Sequence, residues 1–284
     1  MLSNVFYVAL VLSVVCNVCQ FLYSGSQYQD TISRRTLTSV VPARGEEVYN
    51  TKAQTINGID IPAGTRKIFI DLGANDGKST SFFLNAENAG GVAVQGGDKG
   101  SIMEGMGATG DWEVVAFEAN SKHTSKLEAM KKNVMDKNLA RSITIYNGTA
   151  IAKTTGPITF ILDKPVGGGA GATTMSESAS AVGAHFTIPG VGIIDLFHTM
   201  KIHHDDFVVL KMDIEGAEFE VLRHMITHGL HTRVDVLAVE YHDTNKHVFG
   251  KSKGLEAKYK SYHQCIDWMV EDMKTIKVVH WGRR

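Results

Sequence analysis

From about residue 65 onward, short unbroken apolar runs alternate with stretches in which apolar residues return every three or four positions. The runs at 68–72, 113–117, 143–146, 207–212 and 234–239 have the length and composition of buried strands. Helices are predicted at 78–88, 121–138, 217–228 and 262–273. Leu127, Met130 and Val134 share one face of the second, and Phe219, Leu222 and Ile226 one face of the third, which Gly229 is suited to stop. A further strand is expected at 158–162, after the turn Thr155-Gly156-Pro157, and a closing strand at 276–281. Strands alternating with helices predict an α/β domain, a mainly parallel sheet with helices on both faces.

Two stretches break this rhythm. Residues 89–110 hold eight glycines, and 166–192 are rich in Gly, Ala and Ser. Both exceed ordinary connections and offer little to a core. The first reads as a disordered surface insertion. The second leads back to the ligand edge of the expected sheet, where a mobile lid competes with idle disorder.

Ahead of the domain, residues 5–23 are apolar apart from Ser13, Asn17 and Gln20, and no charged side chain precedes Asp30. That length is close to the ~20 residues that span a bilayer. An uncleaved signal anchor and a signal peptide cleaved after Ser24-Gly25-Ser26 both fit, and the long apolar stretch favours the anchor. Arg34 and Arg35 would hold the C-terminal side in the cytosol, although folded domains often translocate regardless. Residues 30–63, polar and carrying Pro42 and Pro62, read as a stem with a short strand near 55–61. The expected organisation is a membrane segment at 1–25, a stem at 26–64 and one domain at 65–284 with insertions at 89–110 and 166–192. This implies a single-pass membrane protein of the secretory pathway, in the endoplasmic reticulum or Golgi, or a secreted one if the segment is cleaved.

Composition narrows the partners. With 43% hydrophobic and 21% charged residues in 284, the chain has ample core, and a formal charge of −1 argues against nucleic acid as its main ligand. Of three cysteines, Cys16 and Cys19 lie in the apolar segment, so Cys265 has no partner for a disulfide in the domain. The Cys16–Cys19 spacing resembles a metal or redox pair, but an apolar run without a second pair suits membrane-buried small residues better.

Candidate chemistry gathers where strands end. Asp71-Leu72-Gly73-Ala74-Asn75-Asp76-Gly77 places an acid, a glycine turn and a polar amide between a strand and a helix. It is neither G-x-G-x-x-G nor a P-loop, and it lacks the lysine that would meet a triphosphate. Such a loop suits a ligand with a positive amino-acid head. Glu118, ending the second strand, is placed to accept both hydroxyls of a ribose, unless it merely flanks a helix capped by Asn120 or Ser121. Lys211, Asp213, Glu215 and Glu218 crowd the end of an apolar strand. A solvated helix start would explain Glu215 and Glu218 but not Lys211 and Asp213, which bracket Met212. Glu240 and His242 follow the next strand on one side of the chain, a plausible proton-transfer pair, or with Asp213 a site for a divalent cation.

The segments FIDLGANDGKST, FEAN, VVLKMDIEGAEFEVL and LAVEYHD, in this order over residues 67–243, resemble the FkbM-type family of S-adenosylmethionine-dependent methyltransferases. KMDIEGAE is the most specific of them. The resemblance implies a Rossmann-like sheet of seven strands with the last antiparallel, S-adenosyl-L-methionine as cofactor, and O-methylation of hydroxyls on small molecules or sugars. Carried over, Asp71, Gly73, Asn75 and Gly77 would frame the methionine part of the cofactor. Glu118 would hold the ribose, the backbone from Asn147 to Ala150 would flank adenine, and Asp213 would lie near the transferred methyl. Glu240 or His242 would then be the base, with Asp213 and Glu215 orienting a glycan or small-molecule acceptor or a metal. A non-catalytic, membrane-tethered binding module is the rival reading. A nicotinamide-dependent oxidoreductase is disfavoured by the missing glycine fingerprint.

The one N-x-[ST] sequon, Asn147-Gly148-Thr149, ends the third expected strand beside the adenine position. Peptide mass spectrometry of active protein is expected to find Asn147 unmodified. A glycan there would overturn the placement of that strand.

Overall fold

A computed structural model describes residues 52–56, 58–86, 103–162, 172–173, 185–240 and 277–280. Twelve strands and four α-helices fall in this set. Strands β1 (Gln54–Ile56) and β2 (Ile59–Ile61) form an antiparallel pair. The chain continues through β3 (Lys67–Leu72), α1 (Lys78–Phe83), β4 (Trp112–Glu118), α2 (Thr124–Asp136) and β5 (Ser142–Asn147). Next come β6 (Ala150–Ala152), β7 (Gly156–Leu162), β8 (Ala172–Thr173), β9 (His185–Gly192) and α3 (Ile193–Thr199). The last elements are β10 (Phe207–Met212), α4 (Glu218–Thr227), β11 (Val236–Val239) and β12 (Lys277–His280).

The central sheet has the order β12-β11-β10-β3-β4-β5, with every pairing parallel. This is an α/β fold with a mostly parallel sheet, as the alternating pattern predicts. The chain runs outward from β3 to β5, then returns to the other side of β3 and runs outward again through β10, β11 and β12. Right-handed crossovers place the intervening helices on opposite faces in the two halves. All six residues of β3 and of β10 are buried, as expected of strands covered on both faces.

On one face, Phe69, Val114, Ala116, Ile143 and Val209 pack with Phe83 of α1 and with Leu127, Met130 and Val134 of α2. Phe69 stacks on Phe83 at 3.9 Å between ring centroids, and Phe83 meets Trp112 edge-on at 4.8 Å. Such aromatic contacts add about 0.5–1.5 kcal/mol each beyond their burial.

The structure corrects several expectations. β12 runs parallel to β11, not antiparallel, because the chain across 241–276 is long enough for the crossover that parallel pairing needs. Six strands, not seven, make the central sheet among the described residues. The first helix stops at Phe83, and the second begins with a 3-10 turn at Ser121–His123 before α2. The single strand expected near 55–61 is the β1–β2 pair, and Ile61 is buried in the main core, so the fold begins before residue 65. The helix expected at 262–273 and the apolar segment at 5–23 lie outside the described residues. No helix among the described residues is long and apolar enough to cross a membrane.

The described ends of the glycine-rich stretches differ from expectation, while residues 89–102, 166–171 and 174–184, on which the surface-insertion and lid readings fall, lie outside the described residues. Met103 and Met106 are fully buried in the main core, and a Cβ on Gly107 would sit 2.5 Å from the Phe83 ring. The glycines there let the backbone pass close over aromatic side chains, so the end of the first stretch is core. In the second, His185–Gly192 is β9, the centre of a separate sheet ordered β6-β9-β7-β8. Periodicity did not reveal it because Gly190, Gly192 and Pro189 dilute the apolar alternation.

Met103→Ala is expected to lower unfolding free energy by about 2–4 kcal/mol, the cost of a buried cavity. Chemical denaturation with an unchanged m-value checks this; a loss below about 0.5 kcal/mol would return the segment to the surface.

Candidate active site

The ends of β3, β4 and β10, the turn after β5 and strand β7 enclose one open cleft. Gly73 and Asn75 line it from the β3 loop, Phe117 to Asn120 from the end of β4 and the turn beyond it, and Thr149 to Ile151 from the turn after β5 and the start of β6. Phe160 enters from β7, and Asp213, Ile214, Glu215 and Ala217 from the loop after β10. The cleft lies at the C-terminal edge of the parallel strands, where the strand order reverses between β3 and β10. Open α/β sheets bind ligands at such a point.

Two loops form the floor and lock together. Gly73 has φ 83°, and a Cβ there would fall 1.8 Å from the Asp213 carbonyl oxygen. Only glycine allows both the left-handed backbone and this contact. The Gly73 and Ala74 N–H groups donate to the Phe117 carbonyl at 3.0 and 2.9 Å, and the Asp213 N–H to Leu72 at 3.0 Å. Gly77, at φ 85°, starts α1 with Met130 packed 3.2 Å from where its Cβ would be.

Beneath the floor lies Lys211, 1% exposed. Its Nζ donates to the Gly73 carbonyl at 2.7 Å and pairs with Asp213 Oδ2 at 3.2 Å and Asp71 Oδ1 at 3.4 Å. Burial works against its charge, but attraction by Asp213 and Asp71 outweighs this and raises the ammonium pKa above the ordinary lysine range. Asp71 is wholly buried and does not line the cleft. Its Oδ2 accepts from the Ser79 and Thr80 hydroxyls at 2.5 and 2.8 Å, tying the end of β3 to the first turn of α1.

Glu118 presents a nearly buried carboxylate to the cleft. One oxygen accepts the Asn75 N–H and the other the Asn120 N–H, both at 2.7 Å. Burial raises its pKa above the usual carboxylate range, and these two donors oppose the rise. Asn120 also caps the following 3-10 turn, its side-chain oxygen accepting the Lys122 N–H, as the helix-flank reading expects.

The loop after β10 is shaped by Glu218. This side chain is fully buried rather than part of a solvated helix start. Its oxygens accept the Ile214 and Gly216 N–H groups at 2.8 and 2.9 Å. Glu215 and Gly216 take left-handed backbone, φ 55° and 104°, which turns the loop around that carboxylate. Asp213 and Glu215 are thereby set on the cleft wall. A Glu five residues after an Asp at a strand end signals this clamp in sequence, although its burial does not show there.

The remaining sequence candidates are spread. Asn147 ends β5 opposite Glu118, but its amide N–H donates to the Thr124 hydroxyl and it does not line the cleft. Thr149, Ala150 and Ile151 line it instead. The Glu240 N–H donates to the Met212 carbonyl at 2.9 Å, putting Glu240 beside the end of β10 without placing it among the lining residues. His242 lies outside the described residues. No three His, Cys, Asp or Glu side chains converge as a metal site among the described residues. Sequence reasoning missed Phe160 and Ile151. The alternation of Ile158 and Phe160 after a Gly-Pro turn was the only signal for Phe160, and Ile151 had none.

A family model described as the Methyltransferase FkbM domain matches residues 71–273. No curated protein matches the chain, and no solved structure does.

Gly73→Ala is expected to destabilise the fold by at least about 2 kcal/mol, through left-handed strain and the collision with Asp213. Gly77→Ala, whose nearest neighbour is a flexible methionine, should cost less. Thermal unfolding of the two variants checks the order; the reverse order would sink the interlocked floor.

Proposed function

The chain belongs to the FkbM methyltransferase family, and on that premise we propose that it methylates a hydroxyl of a sugar or another small molecule from an S-adenosylmethionine donor. The observation that carries this reading is the cleft in which Gly73, Asn75, Glu118, Asp213 and Glu215 meet at the reversal of strand order. Its lining also fits such a donor. Three carboxylates face it, and no lysine or arginine is among the described lining residues. This favours a ligand carrying positive charge over a pyrophosphate.

When bound, the donor supplies a methyl group already activated on a sulfonium. The protein has to hold an acceptor hydroxyl in line and take its proton. Glu118, steadied by one backbone N–H on each oxygen, keeps lone pairs for ribose hydroxyls. Asp213 and Glu215, fixed by Lys211 and by the loop clamp of Glu218, orient the acceptor. Glu240 or His242 takes the proton. Asp71 acts through Lys211 and α1 and is a positioning residue. The apolar segment at 5–23 supports an enzyme tethered in the secretory pathway, and protease protection on membranes reads which side the domain faces.

In titration calorimetry, the purified protein is expected to bind S-adenosylmethionine. Glu118→Gln should weaken binding about ten-fold or more, since a charged acceptor is lost. His242→Ala should leave binding intact and slow turnover by roughly 10²–10⁴-fold if it is the base. Absence of any donor binding overturns the proposal.

A further inference from the structure

We infer that β5, the outer strand of the central sheet, is a docking edge for a second copy of this chain, two copies pairing antiparallel through it as a weak two-fold dimer. The inference stands on the sheet edge alone and does not need the methyl-transfer reading.

The central sheet ends at β5, residues Ser142–Asn147. The ladder shows which of its backbone groups face outward. The Phe117 carbonyl of β4 faces β3, where it accepts the Gly73 and Ala74 N–H groups. The Trp112 and Glu118 carbonyls face the other way and accept from Arg141 and Thr149, on either side of β5. Since β4 and β5 run parallel in register from Glu113–Ser142 to Glu118–Asn147, the residues that bond inward to β4 are Ser142, Thr144 and Tyr146. Ile143 and Ile145 therefore turn their N–H and C=O outward, and among the described residues these groups have no partner.

Such an edge is a template for another strand, and proteins ordinarily blunt it with lysine, proline or a bulge. β5 has none of these. Its sequence Ser-Ile-Thr-Ile-Tyr-Asn is uncharged, and its register runs unbroken. The opposite edge, β12, carries Lys277 and His280. A second observation points to the same place. Met135 is the large hydrophobic residue left exposed among the described residues, at 37%. It lies about three turns along α2 from Thr124, hence on the same flank, and Thr124 takes the Asn147 amide N–H at the end of β5. The apolar exposure thus adjoins the unpaired edge.

The occupant is a second copy because the strand matches itself. Antiparallel pairing centred on Thr144 sets Ile143 opposite Ile145 of the second copy, and Ile145 opposite its Ile143. Each outward N–H then meets an outward C=O, and the isoleucines meet on the α2 side. Thr144 faces Thr144 of the second copy across the two-fold axis, their Cα atoms about 4.5 Å apart as in other non-hydrogen-bonded pairs. The interface uses the same surface on both copies, so it closes as a dimer. Because the paired strands run in opposite directions, the two clefts open at opposite ends and neither is covered. One strand pair and a helix flank bury little area, which makes the dimer reversible, with Kd of about 1–100 µM.

Sedimentation equilibrium of the full chain, in density-matched detergent, tests this. The wild type is expected to dimerise in that range. Thr144→Lys and Thr144→Asp each place like charges across the axis and should weaken dimerisation about five-fold or more, with thermal unfolding unchanged. An equimolar mixture of the two variants should associate again, because opposite charges then face each other; a variant that merely misfolds would not be rescued. Under mild oxidation Thr144→Cys should give a disulfide-linked dimer above the wild-type background, since the expected separation suits a disulfide. Ser142→Cys, whose own counterpart would lie about 13 Å away, should not. A chain that stays monomeric to about 200 µM overturns the inference. So does a dimer indifferent to both Thr144 charges, or crosslinking at Ser142→Cys that equals that at Thr144→Cys. A monomer that instead binds an extended uncharged peptide of unrelated sequence makes β5 a peptide site and overturns self-pairing as well.

Discussion

A single buried ammonium holds the ligand edge of this protein together. Lys211 leaves the end of β10 and reaches under the neighbouring β3 loop, where it meets Asp71, Asp213 and the Gly73 carbonyl. Buried ion pairs add little net stability, because desolvation offsets most of the attraction. Removing one member is costly, since it strands the others without water. What the arrangement secures is register. The glycine turn after β3 and the acidic loop after β10 cannot shift independently while one lysine bonds to both and Gly73 presses against the Asp213 backbone.

The same economy recurs around the cleft. Glu118 bridges the β3 loop and the start of the next turn through two backbone N–H groups. Glu218 closes the β10 loop through two more. These carboxylates satisfy backbone donors that a tight turn leaves without partners, and they fix the curvature at which the loops face the cleft. Asp213 and Glu215 then owe their place to residues that never reach the cleft. Asp71 and Glu218 are sealed away from the cleft, whereas Glu118, Asp213 and Glu215 line it.

The second sheet gives the site its other wall. β7 and β9 pair in register from Gly156–Gly190 to Ile161–His185, so Ile158 and Phe160 share a face with Ile188 and Phe186. That face packs on Ala150 and Ala119, and Phe160 reaches the cleft. The insertion between β5 and β10 thus closes an edge that the parallel sheet alone would leave open. Its apolar side chains also raise the strength of the charges opposite.

Local sequence determined the alternation of strands and helices, the acids at strand ends and the glycines of the turn. Each depends on near neighbours: apolar runs of strand length, and turns that need left-handed backbone. The KMDIEGAE segment also stood out, because a lysine and an aspartate flanking a buried methionine have no local explanation. Tertiary structure decided which acids face the cleft. Asp71 and Asp213 look alike in sequence, yet one is sealed beneath the floor and the other opens onto the cleft. Glu218 resembles a solvated helix start until the loop folds over it. The direction of β12, the burial of Met103 and Met106, and the entry of Phe160 were likewise invisible, because each is set by contacts between residues far apart in the chain. Spacing along the sequence says which residues can share a face; only the packed sheet says what lies opposite it.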